Sequence, residues 1–267
     1  MLSSSKQNGF AGVARLYGQH GLKVFQDSHI AVIGIGGVGS WVAEALARTG
    51  IGQITLIDLD EICISNINRQ IHALHETIGK EKTDVMAQRI KSINPDCVVN
   101  QIGDFVGYKN LESCLSDDFD YVVDAIDSAA IKAAIANWCK RHKVPVICIG
   151  GAGGKMDPTS IKIGDLNRTK NDPLLAKVRS QLRAYHGFSR NQKRSYSIDC
   201  VYSTEQVRFP DGNGATTFQK PGESMNMDCS SGFGAVSHIT ASFAFFAVAR
   251  VFEKLLKNAE KSGTQLD

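Results

Sequence analysis

A chain of 267 residues, 43% hydrophobic and 21% charged with 25 glycines, can bury a sizeable core and reads as a soluble α/β protein. Its net charge of +3 is too small to argue for nucleic acid by itself. Seven cysteines, an odd number with no C-x-x-C pair, exclude a disulfide framework and a zinc ribbon; with no apolar N-terminal run, the expected compartment is the reducing cytoplasm.

Met1–Gly9 is polar and reads as loose chain. Phe10–Asp27 has helical spacing, with Gly18 and Gly21 as expected breaks. His29–Gly34 is a short β-branched strand that ends at glycines, Val38–Thr49 is a helix, and Gln53–Asp58 is a second strand. Strand, glycine turn, helix and strand make the βαβ unit of a doubly wound sheet. Glu81–Ile93 is an amphipathic helix stopped by Asn94-Pro95. Val98–Ile102, Tyr121–Ala125 and Val144–Ile149 are further strands, with a helix over Ile131–Arg141. After the glycines of 150–154 the pattern changes to a strand at Ser160–Ile163, a basic helix at Leu174–Ala184, a loop at Asn191–Arg194 and a strand at Ile198–Ser203. Pro210–Glu223, rich in Gly and Pro, reads as a mobile segment.

From Cys229 to Ala249 the only ionisable side chain other than cysteine is His238, which imitates a membrane span. Its strongly apolar part, Ile239–Ala249, falls short of the roughly 20 residues a bilayer needs. A buried C-terminal helix is expected there. The fold class is thus a doubly wound, mainly parallel Rossmann-like α/β sheet in one domain over 1–267. Its nucleotide-binding core runs over 10–155, and an α+β extension over 156–267 folds back on it.

Gly34-x-Gly36-x-x-Gly39 gives a tight turn and lets backbone approach a phosphate at a helix N-terminus. Asp58, with Asp60 in the same DLD run, closes the second strand where a carboxylate takes ribose hydroxyls. A dehydrogenase would satisfy both runs. Ser65-Asn66-Ile67-Asn68-Arg69-Gln70 then supplies Arg69, a planar guanidinium suited to phosphate oxygens, and Lys82 adds a point charge. Asp127, with Ser128 just past the fourth strand, faces those phosphates only if Mg²⁺ lies between them. Separately these could be a surface ion pair, a solvated helix start and a helix cap. Together and in this order they point to ATP whose phosphates are cut, rather than to a nicotinamide cofactor or a non-catalytic nucleotide sensor.

The runs GIGGVGS, DLDEICISNINRQ, GKEKTDVM, INP and DAIDS resemble the ubiquitin-activating-like adenylyltransferases over roughly residues 10–155. The resemblance implies phosphate approach at Gly37, ribose at Asp58, phosphates at Asn66, Arg69 and Lys82, and Mg²⁺ at Asp127. It also implies a homodimer in which Arg15 reaches the neighbour's ATP. The family's sulfur-carrier activators hold zinc with two C-x-x-C pairs, which this chain lacks. The runs GGVGSW, RQIHAL, GGAGGKMDPT and MDCSSGFGA are instead similar to the bacterial tRNA threonylcarbamoyladenosine dehydratases over nearly the whole chain. That likeness implies adenylation of the threonyl carboxylate beside the anticodon, then ring closure by the ureido group with loss of AMP. Adenylation of a ubiquitin-like sulfur carrier's C-terminal glycine is the alternative.

Between Asp165 and Arg194 stand eight basic residues against Asp165 and Asp172 alone. Arg168, Lys170, Lys177, Arg179 and Arg183 are candidates for the tRNA backbone. Cys229 is a candidate reactive thiol, since the dehydratases are linked to a cysteine desulfurase and its sulfur acceptor; a small buried residue is the plainer reading. His72 and His75, three apart, read as helix-surface residues rather than metal ligands.

Overall fold

The computed structural model describes residues 9–219 and 234–261. Cys229, most of Met1–Gly9 and residues 220–223 of the Gly/Pro-rich segment lie outside them. Helix α1 (Ala11–Asp27) leads into β1 (His29–Ile33), α2 (Gly39–Thr49), β2 (Gln53–Ile57), α3 (Lys82–Ile93) and β3 (Val98–Ile102). Next come the single turn α4 (Leu111–Cys114), β4 (Tyr121–Asp124), α5 (Ala129–His142) and β5 (Val146–Ile149). The extension supplies β6 (Ile161–Asp165), α6 (Pro173–Tyr185), β7 (Asp199–Ser203), the short pair β8 (Phe209–Pro210) and β9 (Thr216–Thr217), and α7 (Ser237–Lys261).

Among the described residues seven strands form one sheet in the order β3-β2-β1-β4-β5-β7-β6. Every neighbouring pair is parallel except β6 with β7. The chain direction across the sheet reverses between β1 and β4, and there the two connections leave on opposite faces. In such sheets ligands bind at that switch, beyond the carboxyl ends of the strands.

The near-continuous apolar runs of β1 and β4 follow from burial on both faces. Ile30, Val32, Tyr121 and Val123 point to one side, where Val42 and Leu46 of α2, Met86 and Ile90 of α3, and Phe243 and Val251 of α7 cover them. Ala31, Ile33 and Val122 point to the other, against Ala133 and Ile135 of α5 and Leu175 and Val178 of α6.

Two glycines in α1 behave differently from each other. Gly18 (φ 75°, ψ 167°) breaks the helix as expected. Gly21 does not. It is buried inside the helix, where a Cβ would lie 2.8 Å from Tyr17 Cβ and 3.4 Å from Leu256 Cδ2. It is needed for close packing against α7, beside the Tyr17–Phe25–Phe252 ring cluster. Within the Gly/Pro-rich stretch, Phe209–Pro210 pairs antiparallel with Thr216–Thr217. Helix α7 buries Ile239, Phe243, Ala247, Val251 and Leu255 on one stripe. Among the described residues no helix is long and apolar enough to cross a membrane.

Helices α2 and α3 are also joined by charge. The buried Glu44 carboxylate accepts from Arg48 Nε at 2.7 Å and from Arg89 Nε at 2.6 Å and Nη2 at 3.0 Å. Glu44→Gln should therefore lower stability by about 1–2 kcal/mol, because three charge-assisted bonds weaken or are lost while both guanidiniums still reach water. A urea-midpoint shift measures this; an unchanged midpoint would show that the cluster contributes nothing.

Candidate nucleotide site at the carboxyl edge of the sheet

The glycine run leaves β1 at Gly34, whose φ of 84° no β-carbon-bearing residue adopts cheaply. Its amide continues the ladder to Ile57 O at 2.8 Å. Gly39 opens α2 so close to the turn that a Cβ there would sit 1.8 Å from Gly34 O. Helix and strand can approach this closely only without a side chain, and the N-terminus of α2 is thereby aimed over the sheet edge. Gly36 and Gly37 form the open top of the turn. Gly37 is backed by Thr240 Cγ2 and by Cδ and Cγ of Arg69, at 3.3, 3.5 and 3.6 Å from its notional Cβ.

Asp58, just past β2, is buried and fastened to this turn: Oδ2 accepts the Ile35 amide at 2.6 Å and Oδ1 the Asp60 amide at 2.9 Å. Lys82, at the start of α3, places Nζ 2.6 Å from Asp60 Oδ2 and 4.0 Å from Asp58 Oδ1. The ammonium is thus held at the edge by two carboxylates, and Asp60 is its nearer partner.

The SNINRQ run forms tight turns beyond β2. Asn66 is buried, and its Oδ1 receives the Cys63 amide at 3.1 Å, which leaves its amide nitrogen as a donor. Arg69 is half-buried. Its Nη1 donates to Ser65 O at 2.6 Å and Asn68 Oδ1 at 3.1 Å, while its own carbonyl receives Trp41 Nε1 at 3.0 Å and Thr240 Oγ1 at 3.3 Å. The guanidinium is therefore oriented by neutral acceptors, with no carboxylate paired to it among the described residues.

Beyond β4, Asp127 and Ser128 are exposed, and no side-chain bond caps α5 from Ser128. The helix-cap reading of this pair is not what the structure shows. What fixes the turn is a pair absent from the sequence reading. Asp124 and Lys132 are both 0% exposed, and Lys132 Nζ donates to Asp124 Oδ1 and O, each at 2.8 Å. Burial raises the Asp124 carboxyl, and the Lys132 ammonium counters it. No sequence signal marks Lys132, which sits on a helix whose other lysine and arginine face water. Asp127 as a lone exposed carboxylate suits a cation shared with phosphate oxygens; among the described residues no three His, Cys, Asp or Glu side chains gather to hold a metal alone.

The extension closes the edge. Gly154 N donates to Gly234 O at 2.7 Å, Asn68 Nδ2 to Ala235 O at 2.7 Å, and His238 Nε2 lies 3.2 Å from Met156 O. Asp172 Oδ2 receives the Gly151 amide at 2.9 Å while Oδ1 caps α6 through Leu175 N at 2.8 Å. Arg15 stands exposed on α1. Of the basic candidates, Arg168, Lys170 and Lys177 are exposed, and Arg179 and Arg183 are half-buried and bonded to neutral groups.

His72 corrects the sequence reading. It is not on a helix surface but 1% exposed, with no hydrogen-bond partner for either ring nitrogen among the described residues. His75 is exposed, as expected. Burial first, and the positive charges of Lys82 and Arg89 second, pull the His72 imidazole down from 6.5 to about 4. The folded state keeps it neutral, whereas an unfolded chain takes up a proton below about pH 6.5. Stability from this source is intact above pH 6.5 and falls as pH drops toward 4, by roughly 2 kcal/mol at pH 5. Urea denaturation at pH 7 and pH 5 should show this loss in the wild type and a smaller one in His72→Gln. Equal losses would assign the acid sensitivity elsewhere.

Comparison with known proteins places this edge in context. The family model described as ThiF family matches residues 11–266. A tRNA threonylcarbamoyladenosine dehydratase of Haemophilus influenzae is 55% identical, covering 93% of this chain and 93% of its own length. The enzyme of the same name from Escherichia coli is 48% identical, covering 98% and 99%. The solved E. coli tRNA N6-threonylcarbamoyladenosine dehydratase in complex with ATP has a TM-score of 0.87 at 45% identity, over 98% of this chain and 99% of that one.

Proposed function

Because this chain belongs to the ThiF family, we infer that it is an ATP-dependent tRNA-modifying enzyme that dehydrates threonylcarbamoyladenosine to its cyclic form. The observation that carries the reading is that likeness to dehydratases runs through the extension beyond residue 155 as well as through the nucleotide-binding half.

The chemistry follows from a poor leaving group. A carboxylate oxygen of the threonyl group attacks the α-phosphorus of ATP, and the bond to pyrophosphate breaks. The ureido group then attacks the acyl carbon of the mixed anhydride, closing the ring; AMP leaves, and the attacking group loses its proton. No protein nucleophile is needed, so positioning and charge neutralisation are the enzyme's task. Gly34, Gly36, Gly37 and Gly39 shape the phosphate turn at the α2 N-terminus, and Asp58 takes the ribose. Arg69 and Asn66 receive phosphate oxygens. Lys82 exchanges Asp60 for the same phosphates as they arrive. Asp127, with Ser128 next to it, would hold magnesium, which when bound would neutralise the phosphate charge that this carboxylate otherwise repels. Arg15, exposed on α1, serves the nucleotide of a second copy in a homodimer. Arg168, Lys170, Lys177, Arg179 and Arg183 bring a basic surface to the tRNA.

Incubation with ATP, Mg²⁺ and either threonylcarbamoylated tRNA or a ubiquitin-like sulfur carrier tests the reading. AMP, pyrophosphate and the cyclic nucleoside are expected with the tRNA alone; release only with the carrier refutes it. Asp127→Ala should reduce turnover by at least 100-fold (about 2.7 kcal/mol or more) with an unchanged circular dichroism spectrum. Retained turnover would move the metal elsewhere.

A further inference from the structure

The exposed face of α6 carries Ala176, Arg179, Ser180, Arg183 and Ala184, at one helical face's spacing. With Arg190 from the following loop they line a concavity of about 540 Å³. Three small side chains make its floor and three guanidiniums its walls, and no carboxylate lines it. Its volume is that of a small-molecule site.

The walls are built, not free. Arg179 Nη1 donates to Thr169 Oγ1, and to Leu166 O at 3.4 Å. Arg183 donates through Nε to Tyr196 OH at 2.9 Å and through Nη2 to Asn167 Oδ1 at 2.8 Å. Asn167 Nδ2 in turn holds Asn191 O at 3.0 Å and Arg194 O at 2.7 Å, and Tyr196 OH holds Ser189 O at 2.6 Å. The loop that presents Arg190 is thereby pinned on both sides. Every one of these acceptors is neutral, so the guanidiniums are oriented without being neutralised. Burial lowers Arg179, and its like-charged neighbour Arg183 lowers it further, a cost that a bound anion removes. Surface arginines serving solubility alone would be left mobile or paired with acids.

We propose that this concavity is a preformed receptor for one RNA backbone phosphate, gripped by Arg179, Arg183 and Arg190, and that it acts as a second anchor for the substrate away from the nucleotide edge. It rests on the tRNA reading above. Helix rise places Arg179 and Arg183 about 10 and 16 Å along α6 from Asp172, which binds Gly151 at the sheet edge. At about 3.4 Å per stacked nucleotide, a strand crosses that in three to five nucleotides. One tRNA can occupy both places. The three guanidiniums offer planar forks that match phosphate oxygens, which lysines such as Lys177 do not.

The test is a salt titration of tRNA affinity with the full chain. Ser180→Glu puts a carboxylate on the exposed floor, Arg190→Gln removes one exposed wall, and Lys91→Gln, exposed on α3, repeats the latter's charge change elsewhere. Ser180→Glu and Arg190→Gln should each weaken binding of threonylcarbamoylated tRNA about tenfold near 0.1 M salt and make the slope of log affinity against log salt shallower by about one. Lys91→Gln should do neither. Wild-type affinity and slope in both concavity variants overturn the proposal while leaving the tRNA reading intact, as does an equal effect of Lys91→Gln. Altered inhibition by inorganic pyrophosphate with unaltered tRNA affinity would assign the concavity to free diphosphate and overturns it too. A wild-type chain that neither binds nor turns over the tRNA defeats both readings.

Discussion

The fully buried ion pair of Asp124 and Lys132 is the constraint on which the functional edge rests. Two charges lie in an apolar interior at the end of the strand where the sheet's winding reverses. Taking them there costs several kcal/mol of lost hydration, which their contact and the Asp124 carbonyl offset only if the geometry is kept. The turn that follows, with Ile126 N 3.3 Å from Asp124 Oδ1, inherits that rigidity. Asp127 is therefore presented from a fixed turn, although its own carboxylate is in water. An apolar pair could fill the same space with equal stability, so a buried pair here specifies position more than it adds strength.

Around that turn the site is assembled from pieces distant along the chain. The glycine turn is held to β2 through Asp58, Arg69 is held to α2 through Trp41, and both are backed by Thr240 of α7. The glycine-rich loop after β5 is held by Asp172, which also starts the arginine-bearing helix. Positive charge accumulates where we propose that substrate phosphates sit, and neutral acceptors rather than carboxylates orient most of it. Lys82 is the exception, paired with Asp60.

How much of this could be read from residues alone depended on whether the signal was local. The strands of the βαβ unit were legible because β-branched runs buried on both faces have few alternatives, and β1 and β2 fall within a residue or two of their expected limits. Gly34 and Gly39 were legible because backbone geometry demands them. Gly21 was misjudged because its reason lies in Leu256, at the far end of the sequence. His72 was misjudged because three-residue spacing suggests a helix face, whereas the chain there runs through turns that fold the ring inward. Lys132 looked like any lysine on an amphipathic helix. Arg183 could be flagged as basic, but nothing local announces that Asn167 and Tyr196 hold it.

The bond from Thr240 to the carbonyl of Arg69 spans 171 residues of chain. During synthesis the strands and the glycine turn emerge long before the helix that backs them, and until then the apolar residues of β1 and β4 that await Phe243 and Val251 are uncovered. A nascent chain can thus own the glycine turn, Asp58 and Arg69 and still lack the wall that holds them. Competence to grip a nucleotide arrives late, with the closing helix, and a ribosome-bound fragment is left as an incomplete and sticky half-sheet.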